Sequence, residues 1–251
     1  MALQALGLFL LEASAGTSIL LLAFPTRTLG KGFFALHGLL AEAGLALALL
    51  VSPDRLRWPL GVISLAALGL YALLAQAGRQ RPGLPILALG ALGQVLLLYR
   101  TCRALDAGLS GWLFAGSLLG GLLFGTVLLT MNLGHWYLIS RSLPLSLLFR
   151  AALGFAAVTA ARAAFLLFVA SRPPNPAGWE ALTSPAREGL FFLFRVLWGI
   201  AGPLALSYFV FRTAKIRSNQ AATGLLYVAL VFVLIGEILS AYLTVAVRIP
   251  A

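Results

Sequence analysis

The chain has 251 residues, 61% of them apolar and only 10% charged, with a mean hydropathy of +0.99. Soluble domains lie nearer half apolar and a quarter charged, so these figures exclude a water-exposed globule, and with it disordered, collagen-like and coiled-coil chains. The net charge is +11, but the cations punctuate long apolar runs as they do in loops between membrane spans, which argues against a nucleic-acid partner. The composition predicts an all-α, polytopic integral membrane helix bundle, residues 1–251 forming a single transmembrane domain in contact with lipid and no soluble domain.

A membrane-spanning helix needs about 20 apolar residues, and charges, prolines and glycines cut the sequence into eight such stretches, near 3–24, 33–52, 57–77, 83–100, 109–138, 143–171, 187–212 and 219–247. The first carries Glu12 and no basic residue precedes Arg27, so it is expected to be a retained span and not a cleaved leader. The second follows the Pro25 turn and holds His37, Gly38 and Glu42. The third follows Pro53, and the fourth, bounded by Pro82–Gly83, is the shortest. Nothing charged appears between Asp106 and Arg141, so the fifth is the clearest; Gly116, Gly120, Gly121 and Gly125 give it a seam for close helix packing, and it ends in Gly134–His135–Trp136–Tyr137. The sixth contains Arg150 and Arg162. Residues 172–184 form the only connection long enough to have structure of its own. The seventh contains Arg195 and a Gly202–Pro203 pair that predicts a kink. The eighth contains Glu237.

Eight spans put both ends of the chain on one face, side A. Side B then collects Arg27, Lys31, Arg79, Arg81, Arg141, Arg212, Lys215 and Arg217, eight cations against seven on side A (Arg55, Arg57, Arg100, Arg103, Arg172, Arg187 and Arg248). The acids Asp54, Asp106, Glu180 and Glu188 all fall on side A. Orientation follows cation number, and the small excess assigns side B to the cytoplasm. A preference for Arg over Lys with abundant Leu, Ala and Gly fits a GC-rich bacterial genome, so the expected location is the inner membrane.

The only histidines, His37 and His135, lie six residues from Lys31 and Arg141 respectively, so each imidazole is expected ~9 Å below the side-B face. Two imidazoles at one depth on different helices suit the axial positions of a b-type haem. Gly38 and Gly134 flank them and leave room for a porphyrin, and Arg150, at similar depth, is a candidate for a propionate or a quinone carbonyl. The competing reading makes the histidines interhelical hydrogen-bonding or interfacial residues, with Arg150 snorkelling to the headgroups.

Five further ionisable residues lie within spans: Glu12, Glu42, Arg162, Arg195 and Glu237. Each costs ~2.5 kcal/mol or more at mid-helix, so all should face the bundle and find partners. Counting inward from the loops puts Glu12, Arg162, Arg195 and Glu237 in one layer, paired for example as Glu237 with Arg162 and Glu12 with Arg195. Such residues serve either as an architectural ion-pair set or as a proton path in which Glu12, Glu42 and Glu237 relay protons between the faces.

Phosphate-binding loops, dinucleotide fingerprints, zinc-protease and serine-hydrolase signatures are all missing from the sequence, and the single Cys102 excludes an intramolecular disulfide. The expectation is a membrane subunit of a bacterial respiratory electron-transfer complex, either quinone-reactive or non-catalytic. It would bind haem b or a quinone and dock other subunits on its basic side-B face. The alternatives are a proton, ion or solute transporter built on the intramembrane Glu and Arg residues, and a scaffold subunit.

Overall fold

The computed structural model describes residues 1–52, 58–139 and 143–251. Pro53, Asp54, Arg55, Arg57 and Arg141, which the sequence reading uses to separate spans and assign sides, lie outside them. Among the described residues all regular structure is helical: α1 (Ala2–Leu21), α2 (Lys31–Val51), α3 (Trp58–Gln76), α4 (Leu84–Leu105), α5 (Ser110–Ile139), α6 (Leu145–Ser171), α7 (Pro176–Thr183), α8 (Arg187–Val196), a π-turn (Leu197–Ala201), α9 (Gly202–Lys215) and α10 (Asn219–Val247). α8, the π-turn and α9 form one continuous rod, and with it eight helices are long and apolar enough to cross a membrane. The chain is an all-α, multi-pass membrane protein.

These helices are apolar on every side, as expected where both the lipid and the bundle interior are oily. Leu50, Leu73, Ile139 and Leu167 face outward, each more than 60% exposed. Hydrophobic contrast therefore does not drive association, and close packing takes its place. α1 and α5 lie at the centre: α1 packs on α2, α4, α5 and α10, and α5 on α1, α4, α6 and α10. Their crossing is backbone on backbone. A methyl group at Gly16 would fall inside the Gly121 carbonyl, one at Gly121 would overlap the Glu12 carbonyl, and one at Gly125 would lie 2.7 Å from Gly16.

The structure revises three details of the sequence reading. α4 continues to Leu105, because Arg100 and Arg103 extend the helix beyond its apolar stretch instead of ending it. The 172–184 connection contains α7, which starts with Pro176 in its first turn and an Asn175 side chain accepting from Gly178 N–H at 3.2 Å. At Gly202–Pro203 the seventh span holds a π-turn just before the proline, where the missing N–H already interrupts the ladder. After α10 the chain turns back through Arg248, in the left-handed region at φ 57°, and Ile249 and Ala251 are fully buried.

Candidate functional site

The most polar region of the interior is a cluster centred on Glu237 of α10. Its carboxylate accepts from Arg195 Nη2 at 2.9 Å and from Arg162 Nη2 at 3.4 Å, and all three side chains are at most 1% exposed. The cluster thus ties α6 and α8 to α10. Arg162 Nη2 also donates to Ser240 Oγ at 2.8 Å and to the main-chain oxygen of Ala251 at 2.6 Å, which Arg195 Nε reaches at 3.4 Å. The Ser240 hydroxyl donates to the same oxygen. Glycines from three elements clear the space: a methyl at Gly120 would strike Glu237 Oε2, one at Gly199 in the π-turn would strike Arg195 Nη1, and Gly236 lies against Gly199.

Glu12 belongs to this layer but takes a different partner from the expected Arg195. Its buried carboxyl hydrogen-bonds Ser117 of α5 and stands in electrostatic range of Arg162, Arg195 and Glu237. Both arginines converge on Glu237 because α10 lies between α5 and the α8 rod. Glu42 is outside the cluster, half-buried on α2, with Gly69 of α3 making room for its carboxylate.

The histidines share a region without sharing a site. His37 is fully buried, and both ring nitrogens are used: Nδ1–H donates to the Phe33 carbonyl at 2.7 Å, and Nε2 accepts from the Asn132 amide at 2.9 Å. The carbonyl only accepts, so the ring nitrogen facing it carries the proton. His135 is exposed and meets Tyr227 Oη at 3.5 Å through Nδ1. The flanking glycines are also filled, Gly38 by the Tyr71 ring and Gly134 by Thr223. A haem iron shared by the two imidazoles does not fit these side chains as placed. The His37–Asn132 bond instead staples α2 to α5. His37→Ala is expected to cost about 1–3 kcal/mol by leaving Asn132 unpaired, whereas His135→Ala leaves the melting temperature unchanged; thermal unfolding of both variants in detergent checks this.

Arg150 stands apart from both groups. It is exposed, makes no hydrogen bond or ion pair among the described residues, and lines a groove of about 350 Å³ between the end of α1, α5 and α6. The walls are mostly apolar, Leu20, Phe24, Leu147 and Val158 among them, with Thr126 and Thr130 on the α5 side. Gly154 forms part of the surface, and a methyl there would meet nothing within 4 Å. Pro25, two residues before Arg27, brings the groove to the side-B end of the bundle.

Asn132, Ser117, Ser240, Ala251 and Gly154 were not legible as site residues. Each is small, or polar but unremarkable in sequence, and gains its role only from what faces it. The one available signal was Asn132, a strongly polar amide three residues before His135 in an otherwise apolar span. No protein-family profile matches the chain, nor does any curated protein or solved structure.

Proposed function

We propose that the protein is a membrane subunit of an electron-transfer complex that holds a quinone in the Arg150 groove, with no haem between His37 and His135. The observation that carries this reading is an accessible, apolar-walled groove edged by a guanidinium that pairs with nothing among the described residues. Its volume of about 350 Å³ lies within the range of small-molecule sites, roughly 300–1,000 Å³. The apolar walls suit a prenyl chain arriving from the bilayer. The guanidinium offers fixed donors for a quinone carbonyl, and the threonine oxygens are acceptors for a quinol hydroxyl.

The setting supports a docked redox partner. Arg27, Lys31, Arg79, Arg81, Arg212, Lys215 and Arg217 are all exposed at the end of the bundle where the groove lies, and a stretch of one charge sign favours an acidic protein face. The quinone would supply the redox chemistry, while Arg150 orients its head and the helices exclude water.

The test is titration of the purified protein in nanodiscs with a short-chain ubiquinone, against an anionic phospholipid as competitor. Arg150→Gln is expected to weaken quinone binding about tenfold, the loss of one charge-assisted hydrogen bond. Gly154→Phe fills the groove from a position with free space around it and should abolish binding while the melting temperature holds. Binding unchanged in both variants, or fully displaced by the phospholipid, would overturn the proposal.

A further inference from the structure

Glu42 stands apart from the other acids of the spans. Glu237 is paired with Arg162 and Arg195, and Glu12 bonds Ser117, all inside the bundle. Glu42 makes no hydrogen bond or ion pair among the described residues, and it is partly exposed. It lies 11 residues past Lys31 in a helix of 21 residues, close to the middle of the span. Its carboxylate rests over Gly69, where a methyl group would come 2.7 Å from Oε1. Gly69 is itself 11 residues past Trp58 in a helix of 19. The carboxylate therefore occupies the seam between α2 and α3 at mid-bilayer depth.

This seam faces outward. α3 packs chiefly on α2 and α4 and leaves its remaining surface open. Next to the carboxylate, Ala43 and Ala66 are exposed, and Ala46 and Gly69 are partly so. Leu39 and Leu73 stand at the rim, 42% and 64% exposed. Small side chains at this level leave room for another helix to approach closely.

Depth and charge narrow what can cover it. An ionisable side chain in the hydrocarbon region is costly until it finds a partner. The one ionisable residue of α1 is Glu12, turned toward α5, and Tyr71 of α3 packs over Gly38. Headgroups and aqueous ions stay about 15 Å away, half the hydrocarbon thickness. A cation at mid-bilayer must be carried on a spanning helix. A second copy of this chain does not supply one. Its cations Arg162 and Arg195 are at most 1% exposed, and Arg150 lies five residues past Leu145, near the side-B end of α6.

We propose that the α2–α3 seam receives a transmembrane helix of a different protein, which carries one Arg or Lys at mid-span and pairs it with Glu42. Neither α2 nor α3 lines the Arg150 groove, so this contact is independent of the quinone reading.

The experiment measures energy transfer in lipid vesicles. A donor dye is attached to the full chain at Arg79→Cys, an exposed position in the turn after α3. The acceptor is a synthetic Leu/Ala transmembrane helix with one Lys at its centre. This helix should bind at least about tenfold more tightly than the same helix without Lys, or with Gln in its place. Glu42→Gln should remove that advantage while the melting temperature holds. Ala66→Phe, on a surface that faces lipid, should weaken binding by blocking close approach with Glu42 intact. Moving the Lys to the end of the helix should abolish the preference. A central-Lys helix that binds the parent no better than its Lys-free or Gln counterpart overturns the proposal. Unchanged preference in folded Glu42→Gln does so as well.

Discussion

Glu237→Gln lowers the stability of the folded bundle by about 3–5 kcal/mol, the largest loss expected of any single polar substitution in the chain. The reason is geometric as well as electrostatic. One carboxylate accepts from two guanidiniums, at 2.9 and 3.4 Å, in a region with at most 1% exposure. Removing its charge leaves two buried cations uncompensated, and breaking a buried pair from one side is far costlier than replacing the whole set. The corresponding change in the exposed pair Arg187–Glu188, Glu188→Gln, should leave unfolding unaltered, since solvent and salt already screen it. Unfolding in mixed micelles of increasing denaturing-detergent content measures both. The triple replacement Arg162→Met, Arg195→Met and Glu237→Leu should recover most of the lost stability, because no charge then remains to be desolvated. A Glu237→Gln protein that unfolds with the parent would show that the cluster does not hold α6, α8 and α10 together.

Gly121→Ala separates α1 from α5 and destabilises the protein by about 3 kcal/mol, at the top of the usual range for overpacking. The new methyl would overlap the Glu12 carbonyl, and neither backbone can yield as a side chain would. The effect should spread, because Glu12 would leave Ser117 as the helices part. Gly154→Ala adds the same methyl where nothing lies within 4 Å and should be silent. Melting temperature and elution volume in detergent report both variants, and a Gly121→Ala protein that melts and elutes like the parent would refute backbone contact at this crossing.

Much of this arrangement could be read along the chain. The eight spans follow from runs of apolar residues ended by charge and proline, and the layer holding Glu12, Arg162, Arg195 and Glu237 follows from counting residues at a fixed rise per residue. The glycine spacing of α5 announced a tight crossing, and α1 meets it there. The histidines illustrate where counting stops. Their depth could be estimated, but one ring is buried against Asn132 and the other looks outward past Tyr227, so equal depth did not produce a common site. The Arg195 partner shows the same limit: Glu12 and Glu237 lie at like depth, and only the position of α10 between neighbours selects Glu237.

Sequence alone thus determined that this is a multi-pass helical membrane protein and roughly where along the chain each span lies. Tertiary structure decided which way each residue faces, which acid meets which arginine, and that Arg150 borders a groove while Arg162 is locked inside. The physical reason is that depth in a bilayer is a linear property of a helix, fixed by its rise, whereas rotation is normally recorded as a contrast between a wet face and an oily one. A helix surrounded by lipid on one side and packed helices on the other carries little such contrast, so its orientation is set only by the glycines, amides and charges it meets across the interface.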